Sequence, residues 1–107
     1  MQVELGEVIA TRVLHLIEGE GPSVEEVVVK IGKPVPFPDG RHYICPFQIT
    51  GMGDEETRYA AGIDAVQALQ LVMIPIGGYL VRLNQSCGGR LRWDGDEHGD
   101  LGFPTLE

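Results

Sequence analysis

The stretch Gly62–Leu83, GIDAVQALQLVMIPIGGYLVRL, decides the fold, because it is the only long helical pattern among the 107 residues. Its start is well specified. Asp64 can accept a hydrogen bond from the Gln67 N–H while Gln67 reaches back to the Asp64 N–H, a capping-box arrangement. Val66, Leu69, Val72 (or Met73), Ile76, Leu80 and Leu83 then recur every three or four residues and predict one apolar stripe. Pro75, Gly77 and Gly78 oppose this, at about 3 kcal/mol for an interior proline and about 1 for each glycine. Burying the stripe contributes on the order of 10–15 kcal/mol gross, so burial wins. The segment is expected to stay helical and to kink between Leu71 and Pro75, where one backbone hydrogen bond is missing. The alternative is a break, with a second helix starting at Pro75.

Upstream, the chain reads as strands. Val8–Glu18 is rich in β-branched and apolar residues and closes at Gly19-Glu20-Gly21-Pro22. Ser23–Ile31 follows with Val27, Val29 and Ile31 on one face, which makes the two runs a hairpin. Gly32–Arg41 carries three prolines and an Asp-Gly pair and reads as a connection, since proline cannot donate to a ladder. His42–Thr50 alternates cleanly, with Tyr43, Cys45, Phe47 and Ile49 sharing a face. Pro46 within it points to an edge strand or a bulge. After a turn at Gly51–Asp54, Glu55–Ala61 returns with Thr57, Tyr59 and Ala61 inward.

Beyond the helix, Gly88-Gly89 is a stop signal, and Arg90–Asp94 reads as a further strand with Leu91 and Trp93 inward. Phe103 anchors an acidic, glycine-rich tail. The expectation is an α+β domain: an antiparallel sheet of four to five strands, in the order β-β-β-β-α-β, with one long kinked helix on one face. Residues 1–107 form a single domain in this reading, with 1–7 and 104–107 as flexible ends.

Composition narrows the function classes. Sixteen acidic against eight basic residues give a net charge of −8, which argues against nucleic acid as a partner. The N-terminal MQVELGEVIA lacks the basic and apolar regions of a signal peptide, and the longest apolar run, Leu71–Ile76, is six residues. Cys45 and Cys87 stand far apart with no CxxC, so neither zinc nor a disulfide framework is indicated, and a reducing cytoplasm fits.

Site candidates are few. Asp94–Thr105 places Asp94, Asp96 and His98 at odd positions of a calcium-type loop, but Thr105 occupies the twelfth position, where a bidentate glutamate is needed. Asp94, Asp96 and Asp100 are therefore weak metal candidates, and a solvated acidic turn is the expectation. Cys45 alternates with Tyr43 and Phe47, as a small core residue does, and a nucleophile there needs His42 or His15 beside it. His15, His42 and His98 are scattered, and Asp64 has a capping role. No GxGxxG, GxxxxGK[ST], HExxH or GxSxG pattern occurs, so no catalytic residue, enzyme activity or cofactor is expected.

The segment Pro34–Pro38 with Phe37 can present an aromatic contact at low ordering cost. A small non-enzymatic module that binds another protein, or itself, through a sheet edge at Tyr43–Thr50 or an open sheet face is the leading expectation. The alternative is a small-molecule binder, in which Gly77-Gly78 leaves room in a pocket between sheet and helix beside Tyr43, Tyr59 and Trp93.

One further pattern emerges. Ile31-Gly32 with Pro34, Tyr43-x-Cys45-Pro46-Phe47-x-Ile49-x-Gly51, Gly62-x-Asp64-Ala65-x-Gln67-Ala68-Leu69-x-Leu71, Leu91-x-Trp93 and Gly102-Phe103-Pro104 together resemble a small bacterial family known only as a domain of unknown function. The resemblance runs from about Ala10 to Pro104, with Pro75 and Gly77-Gly78 as departures from its unbroken helix. It implies a bacterial, cytosolic protein and no established activity.

Overall fold

The computed structural model describes residues 3–17, 24–93 and 99–104. Strands β1 (Val8–Ile17), β2 (Val24–Gly32), β3 (Val35–Pro36), β4 (Tyr43–Thr50) and β5 (Arg58–Gly62) precede helix α1 (Ala65–Ser86), and strand β6 (Leu91–Trp93) follows it. All pairings are antiparallel, in the order β3-β4-β2-β1-β6, with β5 on the other side of β4. The expected α+β architecture is present, with six strands in place of four or five. The extra one is the two-residue β3, which lies in the proline-rich connection and pairs Val35 with Ile44 and Pro36 with Tyr43.

The inward faces of the first hairpin follow the alternation. Leu14, Leu16, Val27, Val29 and Ile31 are buried and meet Cys45, Phe47 and Ile49 of β4. Their outward neighbours form solvent-facing cross-strand pairs, Thr11 with Lys30 and His15 with Glu26, around the pair Val13–Val28. One wet face is the ordinary condition of an antiparallel sheet.

Strand β4 is not an edge. It pairs with β5 along one side and with β2 and β3 along the other. Pro46 is accommodated because the second ladder lapses there: β2 pairing ends at Phe47 and β3 pairing starts at Ile44. A residue without an N–H fits at such a gap in an interior strand. The segment before β1, expected to be a loose end, is tied to this region. Glu7 accepts a hydrogen bond from the Lys33 N–H at 2.7 Å, and the Leu5 backbone lies over Gly32.

The frame of β5 differs from the alternation read in the sequence by one residue. Tyr59 pairs with Pro46 and Ala61 with Ile44, so both point away from the helix, whereas Ala60 pairs with core Cys45. The short run between two turns carries no strong polar alternation, and only its partner strand sets which face is inward.

Helix α1 begins as its capping signal requires: Asp64 Oδ1 accepts from the Gln67 N–H at 2.8 Å. The Gln67 side chain reaches one residue further back than a standard capping box, accepting from the Ile63 N–H at 2.8 Å. The helix continues unbroken through Pro75 to Ser86, three residues past the expected end, so no second helix starts at the proline. It stops where Gly88 and Gly89 take left-handed φ values of 74° and 78°, and the Gly89 N–H bonds back to the Asn84 carbonyl at 2.8 Å.

The buried face of α1 is Ala68, Val72, Ile76, Leu80 and Leu83. The expected stripe is rotated at its start: Val66, assigned to the core, is 65% exposed. A helix that is apolar almost all round does not announce which side is in.

Candidate interaction surface

The four aromatic candidates separate into three places. Phe37 and Tyr59 form an edge-to-face pair, ring centroids 6.3 Å apart at 74°, on the sheet side away from α1. Tyr43 is half-buried against the core. Trp93 lies at the far end of the sheet in β6, where the Arg12 guanidinium stacks at 4.2 Å from its ring and 4.6 Å from that of Phe103. Among the described residues the rings of Tyr43, Tyr59 and Trp93 lie in separate places, not around one pocket. Gly77 does not leave room there either, because Phe103 and Pro104 cover it, and Gly78 opens outward with nothing near its missing Cβ.

Sequence reasoning missed Arg12. Its guanidinium donates to the Gly102 carbonyl at 2.7 Å, clasping the tail to the sheet. Gly102 adopts φ 83°, and a Cβ there would lie 2.8 Å from Trp93 ring carbons, which is why the chain has glycine at this crossing. The available signal was that Arg12 alternates with Leu14 and Leu16, an inward position for a cation that must find aromatic or carbonyl partners.

Three open clefts surround the core. One of about 370 Å3 is lined by Val3, Phe47, Thr57, Arg58, Tyr59 and Pro75. One of about 330 Å3 lies where α1 meets the tail, beside Asn84, Gln85 and Asp100. One of about 180 Å3 adjoins Arg12, Met73 and Phe103. None of the three is lined by Tyr43 or Trp93.

The titratable groups are engaged in structure. Cys45 is buried with its S–H toward the Gly32 carbonyl at 3.5 Å, and burial pushes its thiol up to about 11. His42 pairs with Asp39 at 2.6 Å in an exposed turn, and His15 faces outward opposite Glu26. The Arg58 guanidinium holds the Asp54 carboxyl well below the usual range, at 2.7 Å, while Arg58 stacks on Tyr79 of α1. This ties the β4–β5 turn to the helix. Of the metal candidates, Asp94 and Asp96 lie outside the described residues. Asp100 accepts from the Gly102 N–H at 2.8 Å, a local turn contact. Among the described residues no three His, Cys, Asp or Glu side chains converge.

The thiol gives a direct prediction. Because its ionised form is disfavoured by burial, Cys45 in the native protein should remain unalkylated by iodoacetamide at pH 8 and react fully only in denaturant. Peptide mass mapping after a brief exposure reads this out, and rapid native modification of Cys45 would contradict it.

What remains conspicuous is the outer side of α1. Ile63, just before the helix cap, is 70% and Val66 65% exposed, the two most exposed large apolar side chains among the described residues, and Leu71 and Val81 are also on the surface. No charged residue occurs in the helix before Arg82. The helix is long and apolar enough to cross a membrane by composition alone, but its inner side packs on β4 and β5. The sheet's open face also exposes apolar side chains, Val13 and Ile17, but these alternate with Thr11, His15, Glu26 and Lys30.

Comparison with the curated proteins and with the solved structures matches nothing. The model of one family does match, over residues 10–105, so the chain belongs to the family described as domain of unknown function DUF6968.

Proposed function

We propose that this domain is a non-enzymatic protein-interaction module of the bacterial cytosol, and that its partner is another protein chain seated on the outer side of α1. The carrying observation is the exposed, uncharged outer side of α1 through Val66 and Val81 on a chain of net charge −8. Leaving such side chains in water costs roughly 25 cal/mol per Å2, which a covering protein recovers. The interior position of β4 removes the sheet edge at Tyr43–Thr50 as the docking site. The buried, protonated Cys45 and the separate histidines support a role without catalysis. Two free, buried cysteines fit a reducing compartment.

A photo-crosslinking amino acid at Val66 tests the reading in cells, with Val13 on the sheet face and Glu56 in the β4–β5 connection as comparison positions. Crosslinking to a protein from Val66 well above both comparisons is the expected result. No protein adduct at Val66, or equal yield at Glu56, overturns it.

A further inference from the structure

Resting on that reading, we infer that the chain seated on α1 is a second copy of this one, its helix antiparallel to the first about a twofold axis near Ile74. The charge pattern selects this occupant. Asp64 and Arg82 lie about five turns apart, on the same line of the helix, with the uncharged stretch between them. An antiparallel twofold pairing brings Asp64 of each copy opposite Arg82 of the other, at both ends of the contact. Arg82 has no carboxylate partner among the described residues and lies only over the Tyr79 ring, at 5.6 Å. Asp64 uses Oδ1 for capping, which leaves Oδ2 for the arginine. The helix dipoles of an antiparallel pair also oppose favourably.

The middle of the stripe suits the close approach this requires. Ile74 is half-buried on the outer side, opposite its own twofold mate, and Gln70 falls opposite Gly78 of the other copy. Space beside Gly78 is open, so a neighbouring backbone can come near. A face about 27 Å long and 10 Å wide is smaller than a standard interface, so the dimer is weak, with Kd roughly 1–100 µM.

Sedimentation equilibrium over roughly 2–500 µM decides this. The mass should rise from 11.7 kDa toward twice that value. Ile74→Glu places two carboxylates at the axis and should keep the protein monomeric throughout, with an unchanged far-UV spectrum. Arg82→Glu should raise Kd at least tenfold. Lys30→Glu, the same charge change on the open sheet face, should leave Kd within about threefold. A single 11.7 kDa species at every concentration overturns the pairing. So does a dimer indifferent to Ile74→Glu, or one equally weakened by Arg82→Glu and Lys30→Glu. A monomer that crosslinks from Val66 to a different protein sinks the self-pairing and leaves the module reading standing. A monomer that instead pellets with uncharged phosphatidylcholine vesicles, with no protein adduct, sinks both.

Discussion

Phe47→Ala is expected to lower the unfolding free energy by about 3–5 kcal/mol, the largest loss of any single substitution considered for this chain. Phe47 is 2% exposed and stands where β4 changes partners, opposite Ile31 of β2 on one side and Arg58 of β5 on the other. Its ring also lies in the core cluster that α1 covers. Removing it takes away the transfer energy of the ring and leaves a cavity bounded by strands fixed by their ladders, so the site cannot collapse. Domains of this size are stable by about 5–15 kcal/mol, so the variant should be near the edge of folding at room temperature. Urea unfolding followed by fluorescence of Trp93 measures the shift. Val66→Ala provides the contrast: on the outer side of α1 it should change stability by no more than about 0.5 kcal/mol in the monomer. If the two variants behave alike, the assignment of inner and outer helix faces is mistaken.

Gly62→Ala should destabilise by about 2–3 kcal/mol, while Gly78→Ala should stabilise by about 0.5–1 kcal/mol. The sign reverses because of what surrounds each missing Cβ. At Gly62, the last residue of β5, a methyl group would lie 2.8 Å from the Gln67 carbonyl carbon and 2.9 Å from the Ala68 Cα. Those are backbone atoms of the first helical turn, which cannot yield without lifting α1 off the strand. At Gly78 nothing lies within 4 Å, so alanine there gains helix propensity without a clash. Thermal or urea melts of both variants, at concentrations low enough to hold the protein monomeric, give the two shifts. Equal signs would contradict the close packing of β5 on the helix start.

Much of the fold is legible residue by residue. The alternation in β2 and β4 puts Val27, Val29 and Ile31 on one face and Cys45, Phe47 and Ile49 on another, and all six are buried. Lys30 and Gln48 between them mark the outward side, and the cost of burying those polar residues opposes a one-residue slip. The β5 run lacks such markers, and its reading slips by one: Ala60, not Tyr59, faces the core. The Arg12 clasp is less legible still. Its partners Leu101 and Gly102 are 89 and 90 residues away, and nothing local in either segment predicts that they meet.

Of the candidate site, composition and the missing catalytic motifs were readable at the outset, and so were the aromatic residues themselves. Their grouping was not. Phe37 joins Tyr59, and Trp93 joins Arg12 and Phe103, at opposite ends of the sheet.

Local sequence already sets out a run of strands followed by one capped helix, where that helix begins, and which residues of β2 and of β4 share a face. These properties depend on hydrogen-bond and hydrophobic preferences that act over a few neighbouring residues. Which side of α1 the sheet covers is set by long-range packing. The helix carries apolar residues on nearly every side, so burial energy alone barely distinguishes its orientations. Packing of Ala68, Val72, Ile76 and Leu80 against the sheet, with Gly62 admitting the first turn, selects one and leaves Ile63 and Val66 in water.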